Sequence, residues 1–160
     1  MTTNTPLLVL GIEPEFVYER VLFPTDVGEP PERALEATLD IAERYEAELH
    51  VLTVVDTTRV SADVETGPAL EQAEQTGSAT VDSLVERLRD QGHERIVGAV
   101  VHGRPHDGIL SYAKNHDIDL IVMGTHGRTG LDRYLVGSVT EKVVRLSDVP
   151  VLTVRHRLEA

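Results

Sequence analysis

The chain has 160 residues, of which 27 are acidic and 15 are basic, so its net charge is −12. This length predicts one domain with a full core, and the absence of cysteine excludes a disulfide framework, a thiolate metal site and a cysteine nucleophile. The negative charge argues against nucleic acid and anionic membranes as partners at moderate salt.

The basic residues are strongly skewed towards arginine, because Lys114 and Lys142 are the two lysines of the chain. An acidic, lysine-poor surface is typical of proteins from a high-salt cytoplasm, where salt screens the repulsion between carboxylates. The alternative is an ordinary acidic cytosolic protein. No apolar stretch reaches the length of a membrane span, and the N-terminus lacks the basic region and cleavage site of a signal peptide. We therefore predict a cytoplasmic protein.

Hydrophobic periodicity and turn residues predict nine alternating elements. In chain order they are a strand over 21–23, a helix over 32–46, a strand over 48–55, a helix from 81 that ends at Gly92, a strand over 95–101, a helix over 107–116, a strand over 119–123, a helix over 138–146 and a strand over 149–154. For residues 56–80 we predict a mobile loop, because Gly67, Pro68 and Gly77 interrupt polar runs.

The alternation of strands and helices predicts a single-domain, doubly wound α/β fold with a parallel five-stranded sheet, a Rossmann-like architecture. The expected strand order is 3-2-1-4-5, which makes the first and fourth strands neighbours. Asp26 follows the first strand and Gly124 follows the fourth. Ligands in such sheets bind beyond the carboxyl ends of the strands where the winding reverses, so both residues are expected at one crevice.

A glycine-rich run follows the predicted fourth strand: Gly124-Thr-His-Gly127, and then Gly137-Ser138 at the start of a helix. Glycines between a strand and a helix let the backbone approach a ligand, and the amides at a helix start attract phosphate. The alternative is a flexible loop followed by an ordinary helix capped by serine. The spacing fits neither a Walker A loop nor the GxGxxG fingerprint.

The pattern G-x2-G-x9-G-S resembles the nucleotide-binding signature of the universal stress protein family. Residues 20–26, RVLFPTD, look like the first strand and acidic turn of that family, and Gly103-Arg-Pro105 looks like its Gly-x-Pro turn after the third strand. The resemblance covers residues 18–155 and implies a fold of the adenine nucleotide alpha hydrolase type. It divides the chain into an N-terminal extension over 1–17, a stress-protein domain over 18–156 and a tail over 157–160. For residues 1–16 we expect a loosely held tail or a mis-assigned translation start.

The resemblance implies that the chain binds ATP, or ADP or AMP, with Mg²⁺ entering on the nucleotide phosphates rather than at a dedicated site. The implied contacts are Pro24, Thr25, Asp26, Val54, Met123, Gly124, His126, Gly127, Arg128, Gly137, Ser138, Val139 and Thr140. In this scheme Asp26 accepts hydrogen bonds from the nucleoside, the backbone of Val54 contacts adenine, and Met123 packs on the base. For each of these three residues the residue type also fits a plain turn or core position.

Several other functions fit the residues less well. A phosphorelay receiver needs an acidic pair after the first strand, where this chain has Asp26 alone, and adenylyl-transfer enzymes need HxGH-type or SGGxD-type motifs. The histidines at 102 and 106 flank Pro105, which is incompatible with a ligand pair on one helix face. No pair of groups forms an evident catalytic base and water-positioning set. We therefore expect at most slow hydrolysis of ATP, or slow autophosphorylation in which a phosphoryl group of ATP is transferred to Ser138 or Thr140.

The main alternative within the family is a dimeric interaction module that binds no nucleotide. Residues 149–154 form a short apolar edge strand, and such an edge is a template for pairing. Related stress proteins dimerise through this strand, so the resemblance implies a two-fold homodimer that pairs there. The glycine signature favours nucleotide binding over the interaction module.

Overall fold

The computed structural model describes residues 17–59, 66–125 and 137–156, and all structural statements below concern these ranges. They contain the strands β1 (Arg20–Pro24), β2 (Glu48–Asp56), β3 (Ile96–Gly103), β4 (Leu120–Gly124) and β5 (Val151–Val154), and the helices α1 (Glu32–Tyr45), α2 (Thr66–Asp90), α3 (Pro105–Asn115) and α4 (Ser138–Leu146). The N-terminal residues 1–16 and the tail over 157–160 lie outside these ranges.

The five strands form one parallel sheet in the order β3-β2-β1-β4-β5, which confirms the predicted fold and strand order. In the centre of the sheet, Val21 and Leu22 of β1 lie beside Leu120 and Ile121 of β4. The chain winds from β1 outwards to β3 and then returns across the sheet to β4. The reversal therefore falls between β1 and β4, as expected of a doubly wound sheet.

The core lies in two layers, one on each face of the sheet. Alternate residues of a strand point to opposite faces, so Phe23 packs with α1 and α2 while its neighbour Leu22 packs with α3 and α4. Both side chains are fully buried. Burial on both faces explains why the inner parts of β1 and β4 are uninterrupted apolar runs and why β2 is mostly apolar, with His50 and Thr53 as its buried polar residues.

The prediction of a mobile loop over 56–80 is wrong for residues 66–80, because α2 begins at Thr66. Pro68 lies in the first turn of the helix, where a missing N–H breaks no helical hydrogen bond. Gly77 is buried against β2 and β3: a Cβ there would lie 3.3 Å from Val55 Cγ2 and 3.5 Å from Val100 Cγ1. The residues that suggested a loop are therefore a permitted helix start and a site of close helix–sheet packing.

Most other element boundaries differ from the predicted ones by one or two residues, and three of them bear on the turns after β3 and before β5. Strand β3 continues to Gly103, and α3 begins at Pro105 rather than at 107 because proline suits the first helical position. Strand β5 begins at Val151 rather than at 149. None of the helices in the described part of the chain is both long enough and apolar enough to cross a membrane.

Candidate functional site

The turn after β1 carries the predicted acidic residue and is held by the neighbouring strand β2. The amide of Thr25 donates to the carbonyl of Leu52 at 2.8 Å, and the hydroxyl of Thr53 donates to the carbonyl of Thr25 at 3.0 Å. Pro24 and Thr25 are buried, whereas the side chain of Asp26 is exposed. The turn therefore presents the Asp26 carboxylate to solvent on a fixed backbone at the carboxyl edge of the sheet.

The end of β4 is tied to the start of α4. The amide of Gly137 donates to the carbonyl of Thr125 at 2.6 Å, and the hydroxyl of Thr140 donates to the carbonyl of Gly124 at 3.0 Å. The amide of Thr125 in turn donates to Val154 of β5 at 3.1 Å. These bonds fix the N-terminus of α4 above the ends of the two strands.

The first turn of α4 begins directly at the crevice. Gly137 occupies the N-cap position, without a side chain that caps the helix, and Ser138 is the first helical residue with an exposed side chain. The expected alternative of an ordinary helix capped by Ser138 is therefore wrong. A helix start carries backbone amides that have no partner within the helix and a partial positive charge, so this end of α4 suits an anion.

The other candidate residues of the described ranges differ in exposure. Val139 and Val54 are half-buried at the apolar layer beneath α3 and α4, and Met123, which is 6% exposed, lies within that layer. The side chain of Val54 faces Gly108 of α3, where an added Cβ would lie 2.9 Å from Val54 Cγ1. The remaining predicted residues, His126, Gly127 and Arg128, lie outside the described residues.

The structure brings Pro24, Thr25 and Asp26 to the same sheet edge as Gly124, Gly137 and Ser138, because β1 and β4 are adjacent and parallel. Asp26 and Glu29 are exposed acids on the β1 side of this crevice, whereas the β4 side carries the α4 helix start. The two sides therefore differ in charge: one suits hydrogen-bond donors of a ligand and the other suits its anionic part.

A shallow cavity of about 380 Å³ adjoins the acidic turn on the α1 and α2 face of the sheet. It is lined by Thr25, Gly28, Glu29 and Pro30 from the turn and by Thr76, Ala79, Thr80, Ser83, Leu84 and Arg87 from α2. At one end Arg87 forms two hydrogen bonds of 3.0 Å with Glu32, and these bonds raise the pKa of the arginine. The sequence did not predict the part of this wall formed by Thr76, Ala79 and Thr80, because these residues fall within the loop predicted over 56–80.

The histidines near β3 form pairs with carboxylates rather than a metal cluster. His102 Nε2 lies 2.8 Å from Glu74 Oε1, and His106 Nε2 lies 3.2 Å from Asp107 Oδ1. Within the described ranges, no group of three or more histidines and carboxylates is arranged to hold a metal ion.

Comparisons with known proteins agree with these observations. A family model described as the universal stress protein family matches residues 17–155. The universal stress protein MJ0531 of Methanocaldococcus jannaschii is 32% identical over 144 residues, which cover 88% of this chain and 84% of that protein.

Two solved structures show how closely the fold is shared. The structure of MJ0577, also from Methanocaldococcus jannaschii, has a TM-score of 0.79 and 30% identity, and the match covers 90% of this chain and 100% of that one. The structure of a universal stress protein in complex with cAMP has a TM-score of 0.66 and 25% identity, with 89% of this chain and 100% of that chain covered.

Proposed function

Because this chain belongs to the universal stress protein family, we propose that it binds an adenine nucleotide, ATP above all, in the crevice between the carboxyl ends of β1 and β4. The observation that carries the proposal is the position of two complementary features at the point where the winding reverses. These are the exposed Asp26 on the β1 turn and the start of α4, which hydrogen bonds anchor to the end of β4. The neighbour solved with cAMP is a stress protein with an adenine nucleotide bound, which supports the ligand class.

In this proposal the phosphates lie at the amino end of α4. The backbone amides of its first turn, together with the exposed Ser138 hydroxyl, donate hydrogen bonds to phosphate oxygens. Asp26 accepts hydrogen bonds from the ribose or from the adenine amino group. Mg²⁺ is held by the phosphates themselves, since it keeps much of its water shell and binds phosphate oxygens readily.

The first test is the retention of nucleotide and its affinity. Native mass spectrometry of the purified protein should show a bound adenine nucleotide, and calorimetry with Mg-ATP should give a saturable signal. Asp26→Ala should weaken binding by about two- to a hundredfold, since a lost hydrogen bond costs about 0.5–3 kcal/mol. Asp82→Ala is the matched control, because Asp82 is an exposed acid on α2 and its removal changes the net charge equally.

Two results would contradict the proposal. One is a wild-type protein that carries no nucleotide and gives no heat with Mg-ATP, ADP or AMP. The other is an equal loss of affinity in the Asp26 and Asp82 variants, which would assign the effect to overall charge rather than to the crevice.

A second candidate function is that of a dimeric interaction module of the same fold. The observation that favours it is an exposed apolar surface at the β5 edge: Val144 is 49%, Leu146 50% and Leu152 39% exposed. Among the described residues β5 is an edge strand, and a strand edge next to such a surface is suited to pair with a second copy of the chain. We propose a two-fold homodimer through β5. The two functions are compatible, and the absence of nucleotide in an intact dimer would favour the module alone.

A further inference from the structure

We propose that Thr53 is a positioning residue for the nucleotide, because its buried hydroxyl holds the turn that presents Asp26; this inference rests on the proposed function. Thr53 lies on β2, one strand away from the crevice, and is 1% exposed. A residue so deeply buried cannot touch the ligand. It acts through the backbone of the β1 turn.

Consecutive residues of β2 hold both backbone groups of Thr25. The carbonyl of Leu52 accepts from the Thr25 amide at 2.8 Å, and the hydroxyl of Thr53 donates to the Thr25 carbonyl at 3.0 Å. The first bond continues the parallel pairing of β1 with β2, whereas the second is supplied by a side chain. Beyond it the chain leaves the sheet at Asp26, so the Thr53 hydroxyl is the last contact that β2 makes with Thr25 before the acidic residue.

The other branch of the Thr53 side chain faces α2. A Cβ placed on Gly77 of that helix would lie 3.6 Å from the Thr53 methyl group. Threonine is stiff about its first side-chain torsion, and the close approach of α2 leaves little room for another rotamer. The methyl group is therefore held by α2 while the hydroxyl holds the turn.

The same arrangement occurs on the opposite side of the crevice. Thr140 is 5% exposed, and its hydroxyl donates to the carbonyl of Gly124 at the end of β4 at 3.0 Å. At the carboxyl end of each central strand, a buried threonine hydroxyl from a neighbouring element thus binds a backbone carbonyl: that of Thr25, just past β1, and that of Gly124, the last residue of β4. Because such a hydrogen bond occurs on both sides of the crevice, we infer that the threonine hydroxyls help to set the shape of the crevice.

Loss of the Thr53 hydroxyl should release the turn rather than unfold the sheet. The Asp26 turn would then sample further conformations, and the observed affinity falls in proportion to the fraction that remains competent to bind. A single hydrogen bond to an uncharged group corresponds to about a three- to tenfold effect. Thr53→Val keeps the shape of the side chain and removes its donor, and Thr53→Ser keeps the donor and removes the methyl group.

The control is Thr38→Val. Thr38 is fully buried and its hydroxyl donates to Ala34 within α1 at 2.6 Å, so the same atom is removed from an equally buried site away from the turn. The first measurement is hydrogen exchange of the Thr25 amide by NMR in protein stripped of nucleotide. The second is calorimetry with Mg-ATP for each variant, both alone and combined with Asp26→Ala.

We expect faster exchange of the Thr25 amide and about three- to tenfold weaker ATP binding in Thr53→Val, with neither change in Thr38→Val and recovery of both in Thr53→Ser. In the Asp26→Ala background, Thr53→Val should have little further effect. Two results would overturn the inference. One is a Thr25 amide that exchanges in Thr53→Val at the wild-type rate, and the other is an undiminished loss of ATP affinity when Thr53→Val is added to Asp26→Ala. If the wild-type protein binds no nucleotide, the proposed function fails, and the exchange measurement still decides whether Thr53 holds the turn.

Discussion

His50 is a buried histidine near the amino end of β2, and the crevice lies at the other end of the strands. Its side chain is bonded through both ring nitrogens: Nδ1 lies 2.6 Å from the Tyr112 hydroxyl and Nε2 lies 2.7 Å from Glu48 Oε1. Burial raises the pKa of Tyr112, so its hydroxyl keeps its proton and donates to Nδ1. This places the single proton of a neutral imidazole on Nε2, where it is donated to Glu48.

The surroundings of His50 favour the neutral ring. Burial is the largest influence and lowers its pKa below the ordinary value, the bond and charge of Glu48 act in the opposite direction, and the nearby His116 and Arg20 lower it further. In the unfolded chain the ring titrates near 6.5. Between that value and the lower pKa of the folded state, the unfolded chain binds more protons than the folded one.

The free energy of unfolding should therefore fall as pH decreases from about 6.5 towards the folded pKa of His50, by at most about 1.4 kcal/mol per pH unit. Denaturant titrations at pH values from 5.5 to 7.5 measure this slope. In His50→Gln, whose amide does not titrate, the slope over this window should be smaller. Parallel curves for the two proteins would show that His50 does not contribute, and a steeper slope in the variant would contradict the sign.

Single residues differ in how far the sequence alone could identify their roles. The sequence predicted that Asp26 and Gly124 lie at one edge of the sheet, because each follows a predicted strand and the topology makes those two strands neighbours. The contacts of Thr53 with Thr25 and of His50 with Tyr112 were not, because each depends on side-chain rotamers and on the register between β2 and its neighbours. Such contacts leave no periodic signal in the sequence.

At the level of elements, glycine has different meanings that the sequence does not separate. Gly92 ends α2 with a φ of 98°, as its place after the apolar repeat predicts. Gly77 lies inside α2 and Gly98 inside β3, and both are sites where a helix and the sheet approach each other closely. In the sequence, Gly77 suggested a break in the helix. In the structure, both glycines are needed because a side chain at either position would crowd the valines packed against it.

Gly98→Ala should destabilise the fold by overpacking the contact of β3 with α2. An added Cβ would lie 2.6 Å from Val81 Cγ1 and 3.0 Å from Val85 Cγ2, so the helix or its side chains must shift. Overpacking of this kind costs about 1–3 kcal/mol. Thermal or urea unfolding of the two proteins measures the loss.

Gly67→Ala provides the matched control for this substitution. Gly67 lies in the first turn of α2, and a Cβ there meets nothing within 4 Å. Alanine also has the better helix propensity, so the midpoint should stay the same or rise. An equal loss in both variants would show that the contact with Val81 and Val85 is not the cause.

At the level of the whole molecule, the sequence contained enough information for the fold. Five predicted strands alternate with amphipathic helices. Because crossovers between parallel strands are almost always right-handed, few topologies remain. The element bounds were less accurate where a proline or glycine serves packing or a helix start, as at Pro68, Gly77 and Pro105. The loop between β4 and α4 carried the strongest sequence signal for function, yet most of it lies outside the described residues.

The two edges of the sheet allow a direct test of the proposed dimer. Leu152 on β5 is 39% exposed and Val97 on β3 is 37% exposed, so the two edge strands each carry one apolar side chain of similar exposure. Leu152→Lys should shift the protein towards monomer in sedimentation velocity runs, because it places a charge at the proposed interface. Val97→Lys, at the opposite edge, should leave the wild-type association unchanged.

A wild-type protein that sediments as a monomer at micromolar concentration in molar salt would contradict the dimer. Dissociation by Val97→Lys but not by Leu152→Lys would move the interface to β3. Either result leaves the nucleotide proposal to be decided separately by calorimetry.

The net charge of −12 predicts a stability that depends on salt. Part of the repulsion is local: Asp82, Glu86 and Asp90 are exposed and follow one another at i, i+4 spacing along α2, where like charges repel. Screening extends over about 8 Å at 0.15 M salt and about 3 Å at 1 M. The melting temperature should therefore rise from low to molar KCl, by about 2–4 °C for each kcal/mol of repulsion that is screened.

The triple variant Asp82→Asn, Glu86→Gln and Asp90→Asn tests the local part of this repulsion. It removes three negative charges from the outer face of α2 without touching the core or the ion pair of Arg87 with Glu32. In dilute buffer it should melt at a higher temperature than the wild type, and its melting temperature should rise less with KCl, so that the two curves converge at molar salt. A flat salt dependence in the wild type would contradict adaptation to a high-salt cytoplasm, because the acidic surface would then carry no repulsion that salt relieves. Parallel curves for the two proteins would instead place the repulsion on other faces of the molecule.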